Sequence, residues 1–373
     1  MHIHYTGKGT AVITMKEYLK EALSESGMAI TREVATPAQK CLFEVDEESP
    51  FLSQNEAEIF HSVVAKLLYV SIRARADLLL AVSFLCTRVS KSTKQDQQKL
   101  RRVLEYINGS MDVEYTIGAD DMGKMRSWVD AAFAVHPDMK SHTGGVMSFG
   151  TGGIICKSTK QKLNTKSSTE AEFVGASDYL PNTLWVKMFL EAQGYKIQES
   201  FFEQDNESAI KLEKNGRISA GPKSRHINIR YFWIKDRSVD EGITIRHCPT
   251  LEMLGDFFTK PLQGNLFRTF RNVLLGAAHV DTLTASSLAT AEERVEKIRA
   301  DCHRTGVKGI VDTREYSTTV KTVQPLPRVT WADMVKGTTQ GKAIRGQEKM
   351  LKCNVSNKSV SRPLSRNNPV SKV

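Results

Sequence analysis

Met125-Arg126-Ser127-Trp128-Val129-Asp130-Ala131-Ala132 is the stretch on which the fold turns. It reads as a strand whose apolar run ends on a carboxylate. Working downstream, strands are expected at about 143–149 and 153–158, joined by Gly150-Thr151-Gly152-Gly153. A helix follows from near Ser168 to Gln193, bent or broken before Pro181. Then come a strand at 199–204, helices at 207–214 and 226–238, a strand at 243–247 and a helix at 251–258. Three strands followed by alternating helices and strands indicate a mixed α/β sheet rather than a doubly wound parallel one. Upstream, Asp112 to Ile117 alternates as a strand, and Asp120-Asp121-Met122-Gly123 reads as an exposed turn. Residues 54–108 read as a small helical bundle. Ile59, Val63, Leu67 and Val70 recur at helical spacing, Asp77 starts a second helix, and a third ends near Gly109. The chain opens on a strand-like run, Ala11 to Thr14, and a helix, Met15 to Ser26.

Charge is unevenly spread. The net charge is +10, yet residues 301–373 hold 14 Lys/Arg against 5 Asp/Glu, which leaves about +1 for the first 300 residues. Such a basic tail reads as a disordered arm, either of the kind that touches nucleic acid or a merely solubilising or read-through tail. Six scattered cysteines without a C-x-x-C pair argue against a zinc site or a disulfide framework and fit reduced thiols in an intracellular protein, cytoplasmic or nuclear. The most apolar run, Leu78 to Leu85, is too short to span a bilayer, so no membrane partner is expected.

Asp130, Glu172, Asp205 and Asp256 stand at strand ends and in helices, from where they can converge on one sheet edge. Oxygen ligands so grouped suit a pair of divalent cations and phosphoryl chemistry. Glu170 and Glu172 need separating. Ser167-Ser168-Thr169-Glu170 fits a capping box, and residues two apart on a helix point about 200° apart. Thr169-x-x-Glu172 fits a box as well, so either glutamate can cap; Glu172 is favoured as the metal-facing residue and Glu170 as the cap. Gly150-Thr151-Gly152-Gly153 lacks the Lys-Ser/Thr ending of a phosphate-binding loop and is read as a hairpin turn.

The contexts of the four acids are more specific than the acids themselves. Trp128-Val129-Asp130-Ala131-Ala132-Phe133-Ala134, Ser141-His142-Thr143-Gly144-Gly145-Val146, Lys157-Ser158-Thr159-Lys160-Gln161 and Ser167-Ser168-Thr169-Glu170-Ala171-Glu172-Phe173 come first. Gln204-Asp205-Asn206-Glu207, Arg225-His226-Ile227-Asn228 and Gly255-Asp256-Phe257-Phe258-Thr259-Lys260-Pro261-Leu262 follow. In order and spacing, these blocks over about 125–265 resemble the ribonuclease H domain of copia-type LTR retrotransposon Pol polyproteins. Phe60 to Tyr69, Arg75-Ala76-Asp77 and Arg102 to Ile107 resemble the C-terminal end of the same polyprotein's reverse transcriptase. Ala132 replaces a second acid common in the opening motif, and Ala76 replaces a proline.

The resemblance implies a ribonuclease H-like mixed five-stranded sheet flanked by helices. Its divisions are a helical thumb- or connection-like region at 1–110, a linker hairpin at 111–124, the ribonuclease H-like domain at 125–276 and a basic tail at 277–373. It implies hydrolysis of the RNA strand of an RNA–DNA hybrid, with two Mg²⁺ ions (Mn²⁺ substituting) on Asp130, Glu172, Asp205 and Asp256. Lys157, Lys160, Lys162, Lys166 and Arg225 are candidate phosphate contacts. Expected partners are the hybrid and the remainder of the Pol polyprotein. The polymerase palm would precede Met1, so no polymerase activity is expected. The other reading is a catalytically silent remnant that only binds nucleic acid.

Overall fold

The computed structural model describes residues 1–7, 9–215 and 228–284, all within the first of two compact units, Met1–Arg304. The chain opens with an antiparallel strand pair, β1 (His2–Tyr5) and β2 (Thr10–Thr14), then α1 (Lys16–Glu25). Helices α2 (Gln54–Arg73), α3 (Leu79–Cys86) and α4 (Lys94–Asn108) follow. Capping boxes start α2 at Ser53 and α4 at Thr93, each serine or threonine exchanging hydrogen bonds with the acid three residues on. Next come β3 (Tyr115–Ala119), β4 (Lys124–Ala132), β5 (His142–Ser148), β6 (Gly150–Thr151) and β7 (Ile155–Lys160). The described chain continues with α5 (Ser168–Ala192), β8 (Glu199–Gln204), α6 (Glu207–Asn215), α7 (Asn228–Asp240), β9 (Ile243–His247) and α8 (Gly264–Leu274).

Five strands form a mixed sheet in the order β7-β5-β4-β8-β9; β4, β8 and β9 are parallel neighbours, and β5 and β7 run antiparallel. A second, four-stranded antiparallel sheet has the order β1-β2-β3-β6. The strand expected at 112–117 is β3, Tyr115–Ala119, and pairs with β2 and β6. The hairpin turn expected at Gly150-Thr151-Gly152-Gly153 joins antiparallel β5 and β7 and includes the short strand β6. Three differences are local. Pro181 interrupts neither end of α5; it lies on the exposed side, where a helix can bow without losing buried contacts. The helix expected at 251–258 is two 3-10 turns, Thr250–Glu252 and Leu254–Phe258. Helix α8 was not anticipated, although Phe267, Phe270, Val273 and Leu274 give it one buried face. The tail expected to be disordered lies, from residue 285 on, outside the described residues.

One hydrophobic core runs from Met15 to Leu283 and joins α1–α4 to Trp128 of β4 and to α8. The opposite face of the five-stranded sheet, at Val129 and Phe202, packs on Phe173, Tyr179 and Leu180 of α5. Alternation along β4 thus sends Trp128 and Asp130 to one face and Val129 to the other. Within the first core the Arg75 guanidinium grips Asp77 through two bonds of 2.9 Å and donates to the Ser110 carbonyl. Tyr106 donates to the same carboxylate at 2.7 Å and accepts from Arg271 of α8. Burial alone would raise the Asp77 pKa, but Arg75 outweighs it and holds the carboxyl below its usual range. Ala76 opens the 3-10 turn Ala76–Leu78, a first-turn position that accepts alanine or proline alike. Asp77→Asn leaves a buried guanidinium without its counter-charge and is expected to cost about 3–5 kcal/mol, read as a lower denaturant midpoint.

A second buried network is uncharged. His136 Nε2 lies 3.0 Å from His142 Nδ1, His142 Nε2 lies 2.7 Å from Ser158 Oγ, and Ser158 donates to the Phe258 carbonyl at 2.8 Å. That last donation assigns the tautomers: each imidazole donates through Nε2 and both rings are neutral. Burial pushes His136 down to about 4, with Lys160 adding to it, and His142 down to about 3, with His136 adding to it. Unfolded histidines protonate near 6.5, so this contribution to stability is complete above that pH and declines as pH falls towards 4. Denaturation across this range is expected to take up about two protons through these rings, and His136→Asn to remove about one. An unchanged pH slope in the variant would refute the assignment.

Candidate metal centre

Four elements bring the acids together. Asp130 comes from β4, opposite Gly144 of β5, and Asp205 directly follows β8. Asp256 comes from the 3-10 turn and Glu172 from the first turns of α5. One oxygen from each of Asp130, Asp205 and Asp256 lies within 4.8 Å of the others. Asp130 and Asp256 are buried and Asp205 is half-buried. Glu172 stands beside this trio and is buried, with no hydrogen-bond partner at Oε2.

Glycines make the approach possible. A Cβ on Gly255 would sit 3.0 Å from the Asp130 backbone nitrogen, and one on Gly144 would sit 2.7 Å from Phe258 Cβ and 2.9 Å from the Gly255 carbonyl. On the other face of β5, Gly145 meets the Tyr179 ring. Strand β5 is therefore pressed between the 3-10 turn and α5, and adjacent glycines serve its two faces.

Electrostatics follow from this crowding. Burial, and after it the charges of Asp130 and Asp205, push Glu172 well above the usual carboxylate range. Burial and Asp130 raise Asp205 as well, and push Asp256 up to about 7. Among the described residues one ammonium is bonded to them. Lys260 Nζ lies 2.8 Å from Asp256 Oδ1 and 3.4 Å from Asp130 Oδ1. Burial alone would lower its pKa, but Asp130 and Asp256 outweigh that and raise it. Thr259 Oγ1 donates to Asp130 Oδ2. Neither Thr259 nor Lys260 was singled out in the sequence, although a lysine four residues after Asp256 is a recognisable ion-pair spacing.

The donors fit a hard divalent cation. All are carboxylate oxygens, one of them buried and unpartnered, and the trio includes no thiolate or imidazole of the kind zinc prefers. Beside them a groove of about 540 Å³ opens between the 40–47 segment and the β4–β5 connection, with Lys40, Ala132, Met139, Thr259 and Lys260 on its walls.

The remaining candidates are spread more widely. Ser167 caps α5, its Oγ accepting from the Glu170 N–H at 3.2 Å, so the cap expected of Glu170 falls to Ser167. The Glu170 carboxylate accepts from the Lys166 N–H at 2.8 Å, one residue earlier than a capping box requires. Lys157 is committed to the Asp178 carbonyl at 2.8 Å and Lys160 to Asp138 at 2.7 Å, whereas Lys162 and Lys166 are exposed. Arg225 and His226 lie outside the described residues. His247 is exposed at the end of β9, near enough for its charge to favour ionised Asp205. Asp120 and Asp121 are exposed, Asp121 accepting from the Gly123 N–H within the turn.

A mixed α/β chain with a buried carboxylate group able to hold a metal is the class that fold and site define. Its homologues are retrotransposon Pol polyproteins. The chain is 27% identical over 272 residues to the retrovirus-related Pol polyprotein from transposon TNT 1-94 of Nicotiana tabacum, which covers 70% of this chain and 20% of that protein. It is 25% identical over 266 residues to the Pol polyprotein from transposon RE1 of Arabidopsis thaliana, covering 69% and 17%. It is 21% identical over 249 residues to the transposon Ty1-LR3 Gag-Pol polyprotein of Saccharomyces cerevisiae, covering 65% and 14%. The chain thus spans a fifth or less of the length of these relatives. No family model matches it. Among the described residues no helix is long and apolar enough to cross a membrane.

Lys260→Met removes the cation but keeps the volume. Because Lys260 is 42% exposed and partly screened, the loss expected in EDTA is about 1–2 kcal/mol. Added Mg²⁺ should raise the melting temperature of this variant more than that of the native chain, since ion and ammonium compete for the same oxygens. Equal Mg²⁺ effects would count against metal binding at these oxygens.

Proposed function

We propose that the chain carries a ribonuclease H-like domain that hydrolyses the RNA strand of RNA–DNA hybrids, using two Mg²⁺ ions for which Mn²⁺ can substitute. The observation that carries this reading is the meeting of Asp130, Asp205 and Asp256 within 4.8 Å, with Glu172 buried beside them. Asp130, whose charge is felt at Glu172, Asp205 and Asp256 alike, is the central ligand. Glu172 and Asp205 complete one site and Asp256 the other. Bound there, the cations would supply an activated water and stabilise the departing 3′ oxygen. Lys260 offsets part of the cluster's charge when no ion is present. The groove beside Lys260 borders the acids, and the hybrid would be read through backbone shape and the 2′-hydroxyl rather than base sequence. Exposed Lys162 and Lys166 remain candidates for phosphate contacts.

A second reading is a silent remnant that binds nucleic acid without cleaving it. The ammonium of Lys260 among the acids favours it, because that charge already offsets part of what a cation would offset.

The test uses the full chain, since the core that supports the centre extends from Met15 to Leu283. With a labelled hybrid and Mg²⁺, cleavage is expected, and Asp130→Asn or Asp205→Asn should lower the rate roughly a hundredfold or more while binding persists. A folded native chain that binds the hybrid and leaves it intact in both Mg²⁺ and Mn²⁺ would establish the second reading.

A further inference from the structure

A cavity of about 280 Å³ lies apart from the acidic centre, between the 32–42 segment and α4. Arg32, Lys99, Arg101 and Arg102 stand on its walls, and Glu105 is the one carboxylate there. Among the described residues none of the four cations is in an ion pair; three of them reach neutral oxygens, and the Lys99 ammonium also lies over the Phe84 ring, 4.7 Å from its centroid. Lys99 donates to the Glu44 carbonyl, Arg101 to the Ala29 carbonyl at 3.0 Å and Arg102 Nη2 to Thr36 Oγ1 at 3.0 Å. Arg102 Nε is buried and has no hydrogen-bond partner. A buried guanidinium N–H left unpaired costs free energy that an acceptor would recover.

The cations are also in a poor setting for their charge. Burial lowers the Lys99 pKa, and Arg88 lowers it further against an offset from Asp96. Burial likewise lowers Arg102, with Arg32 adding to it and Glu105 opposing. Leu42, Ala81 and Leu85 supply an apolar lining, which strengthens any charge–charge attraction inside the cavity. An anion entering here would relieve repulsion and meet guanidinium groups suited to phosphate oxygens. Size narrows the choice. The volume falls just below the roughly 300–1,000 Å³ of sites for drug-sized ligands, so it suits a diphosphate group or one or two phosphates of a strand.

We infer that this cavity is a binding site for a phosphate-bearing ligand, with Arg32, Lys99 and Arg102 as its principal contacts. The site is separate from the proposed metal centre and does not depend on nuclease activity. It borders the region that carries Lys260, because Gln263 donates to the Ala38 carbonyl at 2.9 Å and lies 3.1 Å from Thr36 Oγ1.

The test uses the full chain in EDTA, which keeps divalent ions off the acids, and inorganic pyrophosphate as the probe. At ten times its dissociation constant, pyrophosphate should raise the melting temperature by about 2 °C and broaden its own ³¹P resonances. Arg32→Gln with Lys99→Gln should abolish both effects, and Arg32→Gln alone, at an exposed position, should weaken them if the double variant folds poorly. Lys211→Gln, a remote exposed substitution, should leave them intact. A short labelled single strand distinguishes the sources. Weaker strand binding in Arg32→Gln, with competition by pyrophosphate, assigns the site to backbone phosphate. Strand binding unchanged while pyrophosphate binding is lost assigns it to a free phosphate compound. No pyrophosphate effect on the native chain, or an equal effect in native chain and both variants, would overturn the proposal.

Discussion

Carboxylates repel one another, and burial magnifies the repulsion, so a protein interior holds several only where positive charge is close. Asp130, Asp205 and Asp256 meet under that constraint, with Glu172 beside them. Lys260 supplies one positive charge, bonded to two of the four, while Glu172 Oε2 has no partner. Among the described residues one ammonium is bonded to these acids. Burial, and after it the neighbouring carboxylates, raises the proton affinity of Glu172, Asp205 and Asp256. Oxygen-only donors that could hold a metal favour hard ions over zinc.

The backbone is shaped to the same end. Asp256 reaches Asp130 because Gly255 and Gly144 carry no side chain where the 3-10 turn rests on β4 and β5. Tyr179 packs against Gly145 on the opposite face, so α5, which bears Glu172, seats closely on the sheet. The spacing of the acids is thus a consequence of small residues on β5, one strand away from the acid they serve. The adjacent glycines of Ser141-His142-Thr143-Gly144-Gly145-Val146 have a packing reason independent of any chemistry.

Much of this was legible in the sequence, for identifiable reasons. Strands β8 and β9 and the second to fourth helices follow from local periodicity, which a single segment carries by itself. Glu172 was separable from Glu170 because helical geometry points them to different faces, and Ser167 caps α5 while the Glu170 carboxylate accepts from the Lys166 N–H. What escaped was non-local. The partner of β3 is β2, roughly a hundred residues earlier, and no pattern within 112–117 specifies it. Lys260 was overlooked because its role depends on Asp130 reaching it from another element. Of the bend or break expected before Pro181, the break is absent, because α5 runs unbroken from Ser168 to Ala192 with the proline on its exposed side.

The helices of the first hundred residues do more than precede the centre. Ser83 of α3 donates to the Ser158 carbonyl of β7, and Ser158 in turn donates to the Phe258 carbonyl in the turn that bears Asp256. His142 and His136 extend the same chain of bonds, and Phe43 packs on both rings with centroids 5.1 Å and 5.5 Å away. The 3-10 turn is therefore held from both sides, by the sheet through its glycines and by the helical region through Ser158. Because short 3-10 segments have few internal bonds to fix them, this external anchoring sets where Asp256 stands. A centre whose fourth acid depends on Ser83 and Phe43 is a property of the whole described chain, so separating the two regions would loosen the acids before it removed any of them.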